Sequence, residues 1–268
     1  EIGKLIKLDE VAKSTGKFIK LPSTINESFR VSNDLLKQSK DVWRDQVNGD
    51  IYIENSKEVK LIFASETSNS LPKSAKKLKT TRIALWDTYG GSMPSGWLRF
   101  LMEQFHYDFD VIYAPDIDKG SLKDKYDIII FPGNSIPRYH ASSNTSGYYG
   151  RMPENAPENI PMPFKERWGK LSVDKSIPEL KSFLENGGKI ITIGSSSELA
   201  KHLNLGVENH LVDNNKIELK RTDFYTPGSV LTAKINGASS STWGYQDQID
   251  VYYNNDNLYK ITDSQIKP

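Results

Sequence analysis

The sequence predicts an α/β fold in which a mostly parallel sheet carries helices on both faces, with a small α/β lobe at the N-terminal end. From residue 81 onward, strand-like and helix-like patterns alternate, which is typical of a parallel sheet. A nearly continuous apolar run at residues 126–131, halted by Pro132 and Gly133, indicates a strand buried on both faces. The predicted organisation is a lobe at residues 1–65, a linker at 66–80 and a main domain at 81–268.

The elements of the N-terminal lobe are short. Residues 17–21 alternate between apolar and polar side chains, which predicts a strand. Thr24 and Glu27 have capping-box spacing, which predicts the start of a helix. Strands are also expected near Val42 and Ile51, on either side of an Asn-Gly-Asp turn. Residues 64–80 are rich in Ser, Thr and Lys with few large apolar groups, which favours a linker or a polar helix.

In the main domain, apolar spacing predicts a helix at residues 95–106, with Trp97 on its core face, and a second helix from Ser176. Strands are predicted at residues 82–86, 109–113, 126–131 and 189–194, and at 229–235, 250–253 and 258–261 near the C-terminus. Between them lies a loop at residues 133–172, crowded with Pro, Gly, Asn and Tyr. Because ordinary connections are much shorter, this loop is expected to be a lid or a contact surface.

Composition excludes several classes of function. The 268 residues carry a net charge of +1, so the chain lacks the basic footprint of a nucleic-acid binder. It contains no cysteine, which excludes disulfides, thiolate metal sites and a cysteine nucleophile. Its apolar runs are too short to cross a bilayer. Because the chain begins at Glu1 without a methionine and stops after a polar tail, we expect it to be a piece of a longer protein.

A resemblance to a known family rests on several segments. These are residues 82–87, 93–105, 126–132, 187–195 and 224–231, with weaker likeness at Trp243-Gly244 and residues 251–253. In this order, they resemble the region after the catalytic domain in bacterial M14-type zinc-carboxypeptidase-like proteins. Residues 17–54 are similar to the small lobe that precedes it there.

The resemblance implies a flavodoxin-like fold, similar to that of class I glutamine amidotransferases, in a protein exported to the periplasm or beyond. It also implies an accessory role, in which this region contributes to stability, interdomain contact or substrate access. The implied partner is the catalytic peptidase domain of the same parent protein, and a homo-oligomer stays open. Fold likeness alone assigns no chemistry.

The hydrolase chemistry of such a parent lies outside this chain. An M14 site holds zinc with a His-x-x-Glu pair and a distant third histidine. None of the four histidines here is followed by glutamate three positions later; they are His106, His140, His202 and His210. We therefore expect no cofactor on this chain, with zinc only in a separate catalytic domain, and no catalysis by this chain alone.

The turn after the strand at residues 189–194 is the place to test for a nucleophile. An amidotransferase would place its cysteine there, but the chain has Ser195, Ser196 and Ser197. Glutaminase activity by that mechanism is excluded. A serine hydrolase built on Ser195 or Ser196 is the least favoured alternative, because Ser195 and Glu198 have the spacing of a helix cap.

Candidate binding residues lie where open α/β sheets bind ligands. Asp87, Trp97 and Arg99 follow the first strand of the main domain, and Arg99 is expected to pair with an acid such as Asp87. Tyr139 and Tyr225 belong to aromatic-rich segments that suit a glycan or a peptide, although ordinary packing explains such rings equally simply. A ligand-binding module is therefore the main alternative to an accessory domain.

Overall fold

The computed structural model describes residues 15–56, 65–139, 156–237, 239–245, 247–254 and 258–266. The strands are β1 (Phe18–Leu21), β2 (Val42–Asp45), β3 (Ile51–Glu54), β4 (Glu66–Ser68), β5 (Ala75–Lys77), β6 (Ile83–Trp86), β7 (Asp110–Ile112), β8 (Ile128–Phe131), β9 (Lys189–Thr192), β10 (Val207–Asn209), β11 (Ser229–Lys234), β12 (Gln248–Tyr253) and β13 (Tyr259–Ile261). The helices are α1 (Asn26–Lys37), α2 (Met93–Gln104), α3 (Ala114–Asp118), α4 (Leu122–Lys125), α5 (Met162–Lys165), α6 (Ser176–Glu185) and α7 (Leu199–His202), with a 3₁₀ helix at Gly194–Glu198.

The N-terminal part is a five-stranded antiparallel sheet with the order β4-β1-β3-β2-β5. Its apolar side chains pack against one face of α1. This core comprises Ile19, Leu21, Val42, Ile51 and Ile53, with Phe29, Val31, Leu35 and Leu36 from the helix. The segment that we expected to be a linker, residues 66–80, supplies both edge strands. An edge strand pairs on one side only and needs few large apolar residues, which explains why its polar composition was misleading.

A second, parallel sheet has four strands in the order β7-β6-β8-β9. The register aligns Ala84, Ile129 and Ile190 on one face of this sheet. Helices α3, α4 and α6 cover that face and complete the larger core, together with Leu199 from α7. The main buried residues of this core are Trp86, Ile112, Ile117, Phe131, Leu180 and Phe183.

The opposite face of the parallel sheet carries Leu85, Ile130 and Ile191 in register. The connection from β6 to β7 leads toward one edge of the sheet, and the connections from β7 to β8 and from β8 to β9 lead toward the other edge. Because crossovers between parallel strands are right-handed, the first connection, which contains α2, lies on this face of the sheet. Leu85 is fully buried, whereas Ile191 and Ile193 at the β9 edge are exposed. Helix α2 packs on this side of the sheet, where it contacts β6.

The fold-class prediction is wrong. Among the described residues, the largest sheet is antiparallel and the parallel sheet has four strands, so this part of the chain does not form the predicted mostly parallel sheet. The strands after residue 207 form two separate antiparallel pairs, β10 with β13 and β11 with β12, and do not extend the parallel sheet. Alternating patterns identify strands and helices one by one, but they do not determine how many strands join one sheet.

The two parts meet where α1 lies beside the end of α2. The side-chain amide of Asn33 donates to the carbonyl of Phe105 at 2.8 Å, and His106 Nδ1 lies 2.6 Å from a carboxylate oxygen of Asp34. Across the described parts of the chain, no helix has the length and apolar character needed to span a bilayer.

Candidate functional site

The carboxyl edge of the parallel sheet brings together several of the residues that the sequence singled out. The turns that follow β6, β8 and β9 all lie at this edge, because the three strands run in the same direction. Asp87 follows β6, Tyr139 lies beyond β8, and Ser195 and Ser196 follow β9. This edge is therefore the first place to look for a reactive or ligand-binding group.

The serine hydroxyls at this edge bind backbone groups of neighbouring turns. Ser195 Oγ accepts from the N–H of Asn134 at 2.9 Å and donates to its side-chain oxygen at 3.0 Å. The buried Ser196 Oγ accepts from the N–H of Ser135 at 2.9 Å and donates to the carbonyl of Pro132. These bonds tie the turn after β9 to the turn after β8.

The predicted cap is wrong. Ser195 lies inside the 3₁₀ helix, whose N-cap is Ile193 with no side-chain hydrogen bond. Glu198 does not reach back to the turn; one carboxylate oxygen accepts from the N–H of Tyr139 at 3.1 Å and the other pairs with Lys201 at 2.8 Å. The Ser195 hydroxyl bonds to Asn134, which is more than sixty residues away in the chain, and local spacing cannot predict such a contact.

A serine nucleophile also needs a base that can take its proton. His202 Nε2 lies 2.8 Å from the carbonyl oxygen of Pro137, and its ring packs edge-on against Tyr139 at 5.2 Å. His106 is occupied by Asp34 near the other sheet. Within the described ranges, no histidine is hydrogen-bonded to Ser195 or Ser196, and His140 lies outside those ranges.

Asp87 organises the turn that leads into α2. It is buried, and one carboxylate oxygen accepts from the N–H of Thr88 at 2.8 Å and from that of Ser92 at 2.9 Å. Ser92 in turn caps α2 by accepting from the N–H of Ser95 at 3.2 Å. Gly90 and Gly91 both have positive φ, which a tight turn requires. Arg99 is exposed and forms no ion pair with Asp87, so the predicted pair is wrong.

Unlike Tyr139, the aromatic candidates Trp97 and Tyr225 have ring contacts that involve none of the turns at this edge. Trp97, predicted to be core, is 61% exposed on the outer face of α2 and contacts Phe100 edge-on at 6.2 Å. That prediction is wrong because the buried residues of α2 are Ser95 and Met102, and Trp97 lies on the opposite side of the helix from them. Tyr225 lies in the C-terminal part, where the guanidinium of Arg221 sits 3.9 Å from its ring centroid.

Sequence reasoning missed one residue, Arg44. It lies on β2 beside a cleft of about 270 Å³ that is closed on its other side by residues 240–245. The guanidinium lies 4.8 Å from the ring centroid of Trp243. No local pattern connects two residues so far apart in the chain, and the only signal was the aromatic character of Trp243 and Tyr245.

No described cluster has the composition of a metal site. Among the residues that the structure describes, no group of three or more His, Asp or Glu side chains is arranged to hold a metal ion. Comparisons with models of protein families, with curated proteins and with solved structures found no match. The functional argument therefore depends on the contacts and exposure of this chain's own residues.

Proposed function

We propose that this chain is a non-catalytic accessory region of a secreted zinc-carboxypeptidase-like (M14) protein, and that it packs against the catalytic domain of that protein. The observation that carries the proposal is an exposed apolar surface on the α2 side of the parallel sheet. We call this surface the α2 face and define it by Met93, Trp97, Phe100, Leu101, Ile191 and Ile193, all of them exposed.

The α2 face has two components. Met93, Trp97, Phe100 and Leu101 recur at helical spacing, so they form a stripe along the outside of α2. Ile191 on β9 and Ile193 just after it are exposed on the same side of the sheet, at the β9 edge, whereas α2 contacts β6. Monomeric soluble proteins rarely expose large apolar patches of this kind, and such patches mark contact surfaces. The charged residues of α2 are Arg99 and Glu103, both exposed, so most of its exposed positions are uncharged.

The chemistry of the carboxyl edge supports a role without catalysis. The hydroxyls of Ser195 and Ser196 are engaged with Asn134, Ser135 and Pro132, and a hydroxyl in such contacts must break them before it can attack a substrate. The serine-hydrolase alternative therefore gains no support from these contacts. Zinc, the reaction and the export to the periplasm or beyond would belong to the parent protein.

The test is association between this chain and the His-x-x-Glu domain encoded by the same gene, each expressed separately and followed by sedimentation velocity. We expect a complex with the wild-type chain. Replacing Trp97→Ser should weaken it by about 2 kcal/mol or more, because buried tryptophans are frequent energetic centres of interfaces. Phe100→Ser should weaken it less, since its side chain is less exposed at 49%.

The matched control is Ile217→Ser. Ile217 is as exposed as Trp97, at 62%, but lies outside the α2 face, so its replacement should leave association unchanged. The proposal fails if the gene encodes no His-x-x-Glu domain, or if Trp97→Ser and Ile217→Ser have the same effect. Self-association of this chain, lost in Trp97→Ser, would assign the α2 face to a homo-oligomer instead.

A further inference from the structure

The cleft beside Arg44 is formed by two surfaces that fit closely. One comprises the β1–α1 turn and the first residues of α1 together with Arg44 of β2, and the other is the segment at residues 240–245. A Cβ added to Gly49 would fall 2.6 Å from Cβ of Trp243, and one added to Gly244 would fall 2.6 Å from the carbonyl oxygen of Ser23. Both glycines have positive φ. The close approach and the glycine conformations at both contacts show that the cleft is a built feature of the fold.

Arg44 lines this cleft without a counter-charge. Its Nε donates to the carbonyl of Gly49 at 3.2 Å, and its guanidinium lies over the rings of Trp243 and Phe29. No carboxylate in the described part of the chain pairs with Arg44; the nearby Asp50 pairs with Lys20 at 3.3 Å. Burial lowers the pKa of the Arg44 guanidinium from its ordinary value, although arginine stays charged at any physiological pH.

The guanidinium therefore has hydrogen-bonding capacity that the described residues do not use. Arginine carries five N–H donors in a planar fork, and only Nε–H has an acceptor within those residues. A partly buried cation without a partner costs free energy, since it loses water and gains no opposite charge. The indole N–H of Trp243 is likewise buried with no acceptor in the described ranges. Because Arg44 lines the cleft, its unused Nη donors are available to an acceptor on a ligand.

The remaining lining defines the chemistry of that acceptor. The lining also includes Thr24, Asn26 and Ser240, which carry hydroxyl and amide groups, and the aromatic residues Phe29 and Tyr245. A pyranose ring matches such a mixture, because it has an apolar C–H face that packs on an aromatic ring and a rim of hydroxyls. The positive charge adds a preference for a carboxylate, which the arginine fork can bind with two parallel hydrogen bonds.

We propose that this cleft binds an acidic sugar of the uronic-acid type. Its carboxylate accepts hydrogen bonds from the Nη groups of Arg44, and its C–H face lies on the ring of Tyr245, which is 58% exposed. Its hydroxyls bond to Thr24, Asn26 and Ser240. This binding role goes beyond the accessory function and does not depend on the identity of the parent protein, because no residue of the α2 face lines the cleft.

The test uses the whole chain with two probes, methyl β-glucuronide and methyl β-glucoside, which differ in the carboxylate. Binding is followed by isothermal titration and by ligand-observed NMR. For a single sugar ring, we expect a Kd on the order of 1 mM for the glucuronide. Arg44→Gln should weaken glucuronide binding roughly tenfold or more, to the level of the glucoside, because a charge-assisted pair is lost. Tyr245→Ala should weaken both sugars, since it removes the stacking surface that they share.

The matched control is Arg138→Gln, which removes the same charge from an exposed arginine that does not line the cleft. It should leave both affinities unchanged. If Arg44→Gln does not fold, as judged by circular dichroism, Arg44→Lys replaces it and should give an intermediate affinity, because lysine keeps the charge but lacks the planar fork. Equal binding of the two sugars, unchanged binding in the Arg44 variant, or stronger binding of N-acetylphenylalanine than of the glucuronide would each overturn the proposal.

Discussion

The turn after β9 and the cleft beside Arg44 both gather polar side chains, but these side chains satisfy one another only at the turn. Ser195 and Ser196 bond directly to the turn after β8, and Glu198 pairs with Lys201. Arg44 has a single hydrogen bond and no opposite charge in the described part of the chain. The comparison teaches that a polar residue with a complete set of partners stabilises the fold, whereas one without them is the better candidate for binding.

A substitution at Ser196 is expected to have the largest effect on stability, and it tests this comparison directly. Ser196→Ala leaves the N–H of Ser135 without its acceptor in a buried position and removes the bond to Pro132. An unsatisfied buried group typically costs about 1–3 kcal/mol. We therefore expect the free energy of unfolding to fall by about 1–3 kcal/mol, measured by urea denaturation.

Ser195→Ala is the matched control. Its hydroxyl bonds Asn134 at a more exposed position, where water can replace the lost partner. The loss should therefore be below about 1 kcal/mol. Equal losses in the two serine variants would contradict the role assigned to burial, and an increase in stability for Ser196→Ala would contradict the structural role of the hydroxyl.

A smaller effect is expected at Arg44. Arg44→Met removes an uncompensated charge from a half-buried position while keeping much of the apolar stem, so two opposing contributions nearly cancel. The lost cation–π contacts and hydrogen bond destabilise the fold, and the removal of the desolvated charge stabilises it. We expect a free energy of unfolding within about 1 kcal/mol of the wild-type value, by the same denaturation assay.

If Arg44→Met lowers the free energy of unfolding by much more than about 1 kcal/mol, the comparison is wrong, because Arg44 then stabilises the fold. An unchanged or higher stability, combined with weaker binding of the glucuronide in Arg44→Gln, would show the trade between stability and binding that functional sites commonly have. The two measurements thus separate a structural arginine from a binding arginine.

The sequence predicted individual elements more successfully than their assembly. Apolar runs and helical spacing identified β8, β9, α2 and α6. They did not show that β4 and β5 complete an antiparallel sheet, because polar edge strands look like linkers. They also placed Trp97 in the core, since periodicity shows which side chains share a helix face but not whether anything covers that face.

The contacts at the candidate sites were even harder to predict from the sequence than the assembly of the sheets. Ser195 was expected to bond within its own helix, and its partner Asn134 belongs to another turn. The cleft depends on the meeting of Arg44 with Trp243, which lie at opposite ends of the chain. Interactions of this kind arise from tertiary structure, so a single sequence contains no local signal for them, whereas the position of Asp87 at the end of a strand could be predicted from the local pattern.

The smallest effect is expected at the opposite, amino edge of the parallel sheet, where a satisfied network is partly exposed. Asp127 accepts from the side chain of Arg82 at 2.9 and 3.1 Å, from Lys123 at 2.8 Å and from the backbone N–H of Arg82 at 3.1 Å. The Arg82 side chain, followed by Lys123, holds the pKa of the Asp127 carboxyl well below its usual range. A depressed folded-state pKa contributes stability above the unfolded value of about 4, and this contribution is lost as the pH falls toward the folded value.

Asp127→Asn should therefore flatten the decline of the melting temperature between about pH 4 and about pH 2, followed by circular dichroism, with little change near neutral pH because solvent screens the exposed pairs. Asp124→Asn is the control, since only the backbone carbonyl of Asp124 bonds Arg82. If both variants keep the wild-type acid slope, the ion pairs of Asp127 do not differ between the folded and unfolded chain. A complete network would then stabilise this fold only where it is buried, as at Ser196, and the comparison with Arg44 would have to be restricted to groups shielded from water.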